Sequence, residues 1–371
     1  MKVLFIHNSI PEYRIAFWKS LGKYCNLDIC VTHPYLESEQ YGFEFDISEL
    51  NILTEKLVTI NPCGYDIIVL PPADSIWDII VSHRFIRKCR TAHTFTIFWT
   101  ETWMPLFGTW SFKRSLKRTL KNCGQRYIAR RVDRCVAAGS KAHEYLLNLG
   151  IDDNHIRTVI DSSELGKADI EKIIEIEQRI PAGVKVILYF GRLSVWKGTD
   201  ILARSFARIL EKHDDYYLLV CGDGECRKSF ETALYDNCPE SSFCFVGKVN
   251  PSERASYFAV SDVFVLPSRI TDGQIEIWGL SVNESLEAGV PVVATTAVGA
   301  AYDILDDEVG MVVDQGDSEA LAKAIIQVAD RNTNDNLRCA CQNRARIYSV
   351  ENMAKGFYRV FQELEKVDYS I

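Results

Sequence analysis

Residues 185–198 read KVILYFGRLSVWKG, and the rest of the chain repeats the pattern that they set. The apolar run 185–190 has the length of a buried strand, and Gly191 follows it where the backbone must turn tightly. Apolar residues then recur at helical spacing over 199–212. A strand, a glycine-containing loop and a helix in this order are typical of a parallel α/β unit.

The same alternation extends in both directions along the chain. It predicts strands at 2–7, 27–32, 66–70, 94–99, 134–137, 185–190, 216–221, 242–246, 263–266, 292–295 and 310–313. It predicts helices at 14–24, 112–131, 164–178, 199–212, 227–237, 251–259, 280–288 and 350–367, and a long helical run over 319–348. Residues 154–180 read as charged and poor in strands. Two consecutive series of this kind predict an α/β protein with two Rossmann-like, doubly wound domains facing across a cleft.

The domain boundaries follow from where the two series begin and end. We expect an N-terminal acceptor-binding domain over 1–165 and a C-terminal donor-binding domain over 166–349. The amphipathic segment 350–371 is expected to be a terminal helix that can pack back on the first domain.

Composition indicates a globular protein that works in a reducing compartment. The chain has 371 residues, of which 47% are apolar and 25% charged, and it lacks an apolar run of the ~18 residues that a membrane span needs. We read no signal peptide and expect a cytoplasmic protein. The 12 cysteines are scattered, and none has CxxC spacing, which favours buried thiols over disulfides or a zinc site.

The net charge of −8 is distributed unevenly. Residues 1–165 carry +2 and the remainder −10, and the basic excess lies at Lys113, Arg114, Lys117, Arg118, Lys121, Arg126, Arg130, Arg131 and Arg134. An acidic chain is a poor nucleic-acid binder overall, but a local basic face can meet an anionic surface. The predicted helix 112–131 therefore suits peripheral membrane docking. Alternatively, its apolar stripe packs on the first domain and its cations are only solvated.

Two loops carry residues suited to a phosphorylated ligand. Arg192 and Lys197 lie on one loop at the carboxyl end of a strand, where a bidentate guanidinium and a compact ammonium can hold a diphosphate. Alone, they could equally be two solvated cations.

The second loop lies at the start of residues 276–295, which read EIWGLSVNESLEAGVPVVAT. Here Gly279 and Leu280 open a helix whose first amides suit an anion. Glu276 and Glu284 repel phosphate and suit sugar and ribose hydroxyls. The alternative is an ordinary surface helix with two solvated acids.

These motifs resemble those of the family-4 retaining glycosyltransferases of the GT-B fold. The resemblance is carried by GR-x4-KG at 191–198, by E-x7-E at 276–284 and by the EAG-x-PVVAT segment at 287–295. The segments GDGE at 222–225 and FVG at 245–247 add to it, so that it covers the whole C-terminal domain in order. The first half matches more loosely.

The resemblance implies roles for individual residues. It makes Arg192 and Lys197 the pair that binds the donor diphosphate, and Glu276 the residue that contacts the donor sugar beside its anomeric carbon. These three are the expected catalytic residues. It implies further donor contacts at Gly191, Gly222, Lys248, Val249, Gly279, Leu280 and Glu284. The chain has no Asp-x-Asp motif, so we expect no metal and no cofactor, with the nucleotide sugar as substrate.

The first half departs from the commonest family pattern. The loop HNSIPEYR at 7–14 has no glycine pair and resembles that of a bacterial surface-polysaccharide subset. Together with WTETW at 99–103, it makes Asn8, Ser9, Arg14, Glu101 and Trp103 the expected acceptor-side residues. His7 is either a base or structural, and both tryptophans of 99–103 are either sugar-stacking or core.

The expected function is retaining transfer of a sugar from a nucleotide diphosphate donor to a glycan or lipid-linked acceptor in polysaccharide biosynthesis. The rivals are a GT-B-fold sugar-nucleotide epimerase, which needs no acceptor, and a non-catalytic sugar-nucleotide sensor. A dinucleotide oxidoreductase is disfavoured because neither 2–7 nor 185–190 is followed by GxGxxG.

Overall fold

The computed structural model describes residues 1–32, 46–53, 59–73, 75–103, 112–271, 273–331 and 335–366, and leaves out the side chains of 76, 112–117 and 335. The chain divides into two compact units. Unit 1 comprises Met1–Ser163 and Val350–Ile371, and unit 2 comprises Glu164–Ser349.

Unit 1 is built on a parallel sheet of seven strands in the order β3-β2-β1-β4-β5-β6-β7. The strands are β1 Lys2–His7, β2 Asn26–Val31, β3 Asn51–Leu53, β4 Ile67–Leu70, β5 Phe95–Thr100, β6 Arg134–Ala137 and β7 Ile156–Thr158. The strand order reverses between β1 and β4, which is the switch point of a doubly wound sheet. β1, β4 and β5 are buried almost throughout, because parallel strands of this kind are covered on both faces.

The described residues of unit 1 also form helices. They are α1 Glu12–Leu21, α2 Ile76–Ala92, α3 Phe112–Ala129, α4 Ser140–Asn148 and, after the chain has passed through unit 2, α12 Val350–Glu365. Helix α12 completes the core of unit 1. The ring of Phe357 lies 5.2 Å from that of Phe17 and 5.4 Å from that of Trp99. The apolar face of the C-terminal helix is buried by this packing, which explains the amphipathic pattern of the segment.

Unit 2 repeats the design with a parallel sheet of six strands in the order β10-β9-β8-β11-β12-β13. The strands are β8 Lys185–Phe190, β9 Tyr216–Cys221, β10 Phe243–Gly247, β11 Val263–Leu266, β12 Val292–Thr295 and β13 Gly310–Val313. The switch point lies between β8 and β11. A core of buried aliphatic and aromatic residues, including Phe206 and Tyr216, packs between this sheet and its helices.

The helices of unit 2 follow the strands in turn. They are α5 Ile170–Glu177, α6 Thr199–Leu210, α7 Arg227–Tyr235, α8 Arg254–Ala259, α9 Ser281–Glu287, α10 Ser318–Arg331 and α11 Asp335–Ile347. Among the residues that the structure describes, no helix has both the length and the apolarity of a membrane span.

The predicted fold class is confirmed, and several element predictions need correction. β3 and β7 were missed, and β7 falls in the region 154–180 that reads as poor in strands. Both have only three residues, two of which in β7 are polar, so neither forms an apolar run. Helices α2 and α4 were also missed. The run 319–348 forms two helices instead of one, and the helix predicted over 164–178 begins only at Ile170. All 12 cysteines are free thiols.

Candidate functional site

The loop after β8 lies at the switch point of the unit 2 sheet. It turns through Val195–Lys197 and ends at Gly198, whose φ of 70° is in the left-handed region. A Cβ on Gly198 would collide with the carbonyl oxygen of Pro267 in the loop after β11. Only glycine allows this close approach, which brings the loops after the two central strands together.

Buried and half-buried groups hold the backbone of this loop. The Tyr189 hydroxyl donates to the Arg192 carbonyl at 2.8 Å, and the Arg269 Nε donates to the Val195 carbonyl at 3.0 Å. Burial raises the pKa of Tyr189 well above its ordinary value, so its hydroxyl stays a donor. Arg269 also pairs with Asp200 at 3.1 Å. These contacts of the protein itself hold the loop in place.

The expected catalytic residues Lys197 and Glu276 form an ion pair, although 79 positions separate them in the sequence. The Ser268 hydroxyl donates to the same Glu276 carboxylate at 3.0 Å. The Lys197 ammonium also lies 4.6 Å from the centre of the Trp196 ring. Both charged side chains are nearly buried, and at such a site an ion pair neutralises charges that would otherwise be costly.

Backbone contacts fix the segment that carries Glu276. Its carbonyl accepts from the Gly299 amide at 3.1 Å, and the Trp278 carbonyl accepts from the Ala300 amide at 2.9 Å. Gly279 follows with a φ of 95°, packed against Leu266 and Val298. Helix α9 begins two residues later, so Gly279 and Leu280 lie at its start, where the sequence placed them.

Glu284 lies in the first turn of α9, where it is almost fully buried. Its carboxylate pairs with the Arg254 guanidinium at 3.4 Å, and that guanidinium also donates to the Glu164 carbonyl at 3.2 Å. The sequence motifs do not mark Arg254. A cation opposite a buried carboxylate could be expected on electrostatic grounds, but its position could not.

Three strand-end glycines of unit 2 lie side by side. The Gly191 amide donates to the Cys221 carbonyl at 3.0 Å, and the Gly222 amide donates to the Gly247 carbonyl at 2.7 Å. A Cβ on Gly222 would collide with the Gly191 carbonyl oxygen. Lys248 is exposed directly after this row of glycines, and Val249 is half-buried.

Arg192 stands apart from the Lys197–Glu276 pair. It is exposed, and within the described part of the chain its side chain forms neither a hydrogen bond nor an ion pair. The loop after β8 therefore carries Arg192, whose charge is not neutralised by an ion pair with any described residue, and Lys197, whose charge is neutralised by Glu276.

Arg14 of unit 1 is fully buried instead of lying at a ligand-accessible surface as expected. Its guanidinium binds Asp161 through two nitrogens and Glu101 through one, and it lies 4.6 Å from the centre of the Trp99 ring. Burial alone lowers the pKa of Arg14, but the carboxylates of Asp161 and Glu101 outweigh it and raise the pKa above its ordinary value. Arg14 thus holds Glu101 in position.

The other expected acceptor-side residues differ in exposure. The Glu101 side chain is 32% exposed, and Asn8 is exposed after β1. Ser9 is half-buried, and its amide donates to Asn8 Oδ1 at 3.0 Å. Trp103 and Trp99 are both buried, which leaves little ring surface for sugar stacking.

His7 packs inside unit 1. Its ring lies 5.5 Å from that of Trp18, and its Nδ1 lies 2.8 Å from the Ser9 carbonyl oxygen. This environment favours the structural alternative for His7. Within the described residues, no group of three or more His, Cys, Asp or Glu side chains could hold a metal ion.

Comparisons with known proteins show what the chain is similar to. Residues 170–347 match the family model described as glycosyl transferases group 1. The chain is 30% identical over 219 residues to a D-inositol 3-phosphate glycosyltransferase of Corynebacterium urealyticum, covering 53% of this chain and 50% of that protein. It is 29% identical over 142 residues to a GDP-mannose-dependent phosphatidylinositol monomannoside mannosyltransferase of Mycolicibacterium smegmatis, covering 38% and 37%. The chain thus spans half or less of the length of these relatives.

Solved structures resemble the whole chain. HepE of Anabaena in complex with UDP superposes with a TM-score of 0.73 at 16% identity, covering 98% of this chain and 100% of that one. The same protein has been solved with UDP-glucose. At this identity the likeness shows the fold alone, and that fold is GT-B.

Proposed function

We propose that this chain, whose residues 170–347 match the family model of the group 1 glycosyl transferases, is a retaining glycosyltransferase of polysaccharide or glycolipid biosynthesis. It moves a sugar from a nucleoside diphosphate donor to a glycan or lipid-linked acceptor. The observation that carries the proposal is the contact between Lys197 and Glu276 at the switch point of unit 2. A cation suited to a leaving diphosphate lies against a carboxylate suited to sugar hydroxyls.

The cations on the β8 loop supply the electrostatic part of catalysis. When the bond between the anomeric carbon and the diphosphate breaks, negative charge builds up on the leaving oxygen. Arg192 and Lys197 are placed to neutralise that charge, and the Gly279 and Leu280 amides at the start of α9 add to it. Because Lys197 forms an ion pair with Glu276, the diphosphate of a bound donor shares this cation with the carboxylate.

The remaining donor contacts follow the same arrangement. Glu276 holds the donor sugar, and Glu284, fixed by Arg254, accepts from the ribose hydroxyls. Gly191 and Gly222 let backbone approach the donor closely, and Lys248 and Val249 border the base. The acceptor side belongs to unit 1, where Glu101 accepts hydrogen bonds from acceptor hydroxyls while Arg14 fixes its carboxylate. Asn8 and Ser9 lie on the loop after β1 and complete this side.

A panel of nucleotide sugars tests the proposal directly. We expect one donor to raise the melting temperature, because ligand at 100 times its Kd stabilises a protein by about 2.7 kcal/mol. UDP-glucose is the first compound to examine, since a protein of the same fold binds it. Incubation with lipid extracts then reports transfer. Binding without turnover over a broad acceptor panel would favour a sensor, and conversion of the donor without an acceptor would favour an epimerase.

Metal chelation gives a second test. Since Arg192 and Lys197 provide the positive charge that a divalent cation supplies elsewhere, we expect EDTA to change the transfer rate by less than about twofold. The measurement is the initial rate of nucleoside diphosphate release with EDTA, with Mg²⁺ and with Mn²⁺. A rate that falls to background in EDTA and returns with Mn²⁺ would contradict the assignment of the leaving-group charge to these two residues.

A further inference from the structure

Helices α2 and α3 of unit 1 carry a charge opposite to that of the whole chain. Within their bounds lie ten Lys and Arg residues, four on α2 and six on α3, against a single acid, Asp78. The complete chain has a net charge of −8. The two helices therefore form the one part of the described structure where strong positive charge is concentrated, and long-range attraction to an anionic surface acts there.

Two contacts show how the helices pair. Ile79 of α2 lies so close to Gly124 of α3 that a Cβ on the glycine would collide with it. Further along both helices, the His83 Nδ1 lies 2.6 Å from the Tyr127 hydroxyl. Moving from the first contact to the second, the residue number increases on both helices. The two helices therefore run in the same direction, and their first turns lie at the same end of the pair.

Large apolar side chains are exposed at that end. Trp77 is 59% exposed and Ile80 39% exposed, on either side of Ile79, and Leu120 is 54% exposed one turn before Gly124. The first turns of α3 extend beyond this point and carry Lys113, Arg114, Lys117 and Arg118. Exposed apolar residues beside a cluster of cations, with a tryptophan among them, are typical of surfaces that lie in a membrane interface.

The exposed apolar residues of α5 lack this setting. Ile170 and Ile174 on α5 of unit 2 are 74% and 50% exposed. Their neighbours on the helix are Glu171, Glu175 and Glu177, with Lys172 as the sole cation between Ile170 and Glu177. These three glutamates repel an anionic surface. The exposed isoleucines of α5 therefore serve as a control for the exposed apolar residues of α2.

We propose that the end of the α2–α3 pair docks on an anionic phospholipid bilayer. Trp77 and Ile80 insert at the interface, and the positive charge of α2 and α3 attracts the anionic headgroups. The positive charge of the two helices complements an anionic bilayer. The exposed tryptophan and isoleucine favour a bilayer over a nucleic acid, because a nucleic acid offers phosphates but no apolar layer. Helix α2, absent from the sequence prediction, supplies the apolar contact. The proposal does not depend on the identity of the donor or on transfer activity.

Vesicle flotation with the full chain tests this docking. We expect binding to phosphatidylcholine vesicles that contain phosphatidylglycerol, and none to phosphatidylcholine alone, with binding weakened by high salt. The variant Trp77→Ser/Ile80→Ser should lose at least about tenfold in partitioning. The variant with serine at Lys113, Arg114, Lys117 and Arg118 should lose at least as much. The control Ile170→Ser/Ile174→Ser should bind like the unchanged chain.

Three outcomes would overturn the proposal. The first is equal flotation with neutral and anionic vesicles, or no flotation with either. The second is unchanged flotation of the Trp77→Ser/Ile80→Ser variant, whose folding is checked by circular dichroism. The third is binding to a short DNA duplex in the absence of vesicle binding, which would assign the cations to nucleic acid.

Discussion

Lys197→Ala is expected to lower kcat/KM by about 30- to 900-fold, a loss of about 2–4 kcal/mol of transition-state stabilisation. The Lys197 ammonium forms an ion pair with Glu276, and under the proposed function it stabilises the diphosphate as it leaves. Donor affinity should fall together with turnover, because the diphosphate is charged in the ground state as well. Steady-state rates with the donor found in the panel, together with calorimetry of nucleoside diphosphate binding, measure both quantities.

Three further variants make this result specific. Lys228→Ala removes an exposed lysine of α7 and should leave both rate and affinity unchanged. Arg192→Ala should lower both, without the loss of stability that an unpaired Glu276 causes in Lys197→Ala. Glu276→Gln should retain most of the nucleotide binding while turnover falls about 10- to 150-fold, as expected when a hydrogen bond from a charged group is lost. Unchanged diphosphate affinity in both Lys197→Ala and Arg192→Ala would remove them from the donor site.

Arg14→Met is expected to destabilise unit 1 by about 3–5 kcal/mol, because it removes the bidentate arginine from the buried Asp161 carboxylate. The Asp161 side chain is 1% exposed, and Arg14 is its bidentate partner. Urea unfolding followed by tryptophan fluorescence, with most of the tryptophans in unit 1, measures the change.

The double variant Arg14→Met/Asp161→Asn separates charge burial from packing. Neutralising the Asp161 carboxylate removes most of the cost of burying its charge without the arginine, so the double variant should regain part of the lost stability. Arg87→Met, which removes an exposed arginine of α2, should change the unfolding free energy by less than about 0.5 kcal/mol. If Arg14→Met is as stable as the unchanged chain, the buried ion pair makes no net contribution to the free energy of unfolding.

Local patterns in the sequence were sufficient for most of the architecture. Strands such as Lys185–Phe190 and Val292–Thr295 are continuous apolar runs, and sheets of parallel strands covered on both faces require such runs. The short edge strands Asn51–Leu53 and Ile156–Thr158 escaped prediction, since an edge strand gains its stability from one neighbour and needs no apolar run. Helix α2 was not predicted from the sequence, because cations lie between its apolar residues and obscure the helical spacing.

The sequence by itself determined the fold class, and the donor-site residues stay a prediction from it, because a glycine after a strand or a glutamate at a helix start acts within a few residues. The tertiary structure alone decided which of these residues touch. Lys197 meets Glu276 across 79 positions, and Arg14 meets Asp161 across 147. These pairs form because the chain folds two distant carboxylates against cations in sites that exclude water, where an unpaired charge is too costly to persist. No local spacing encodes such a partner, so the sequence predicts Arg14 on the acceptor side but not its burial against Asp161 and Glu101.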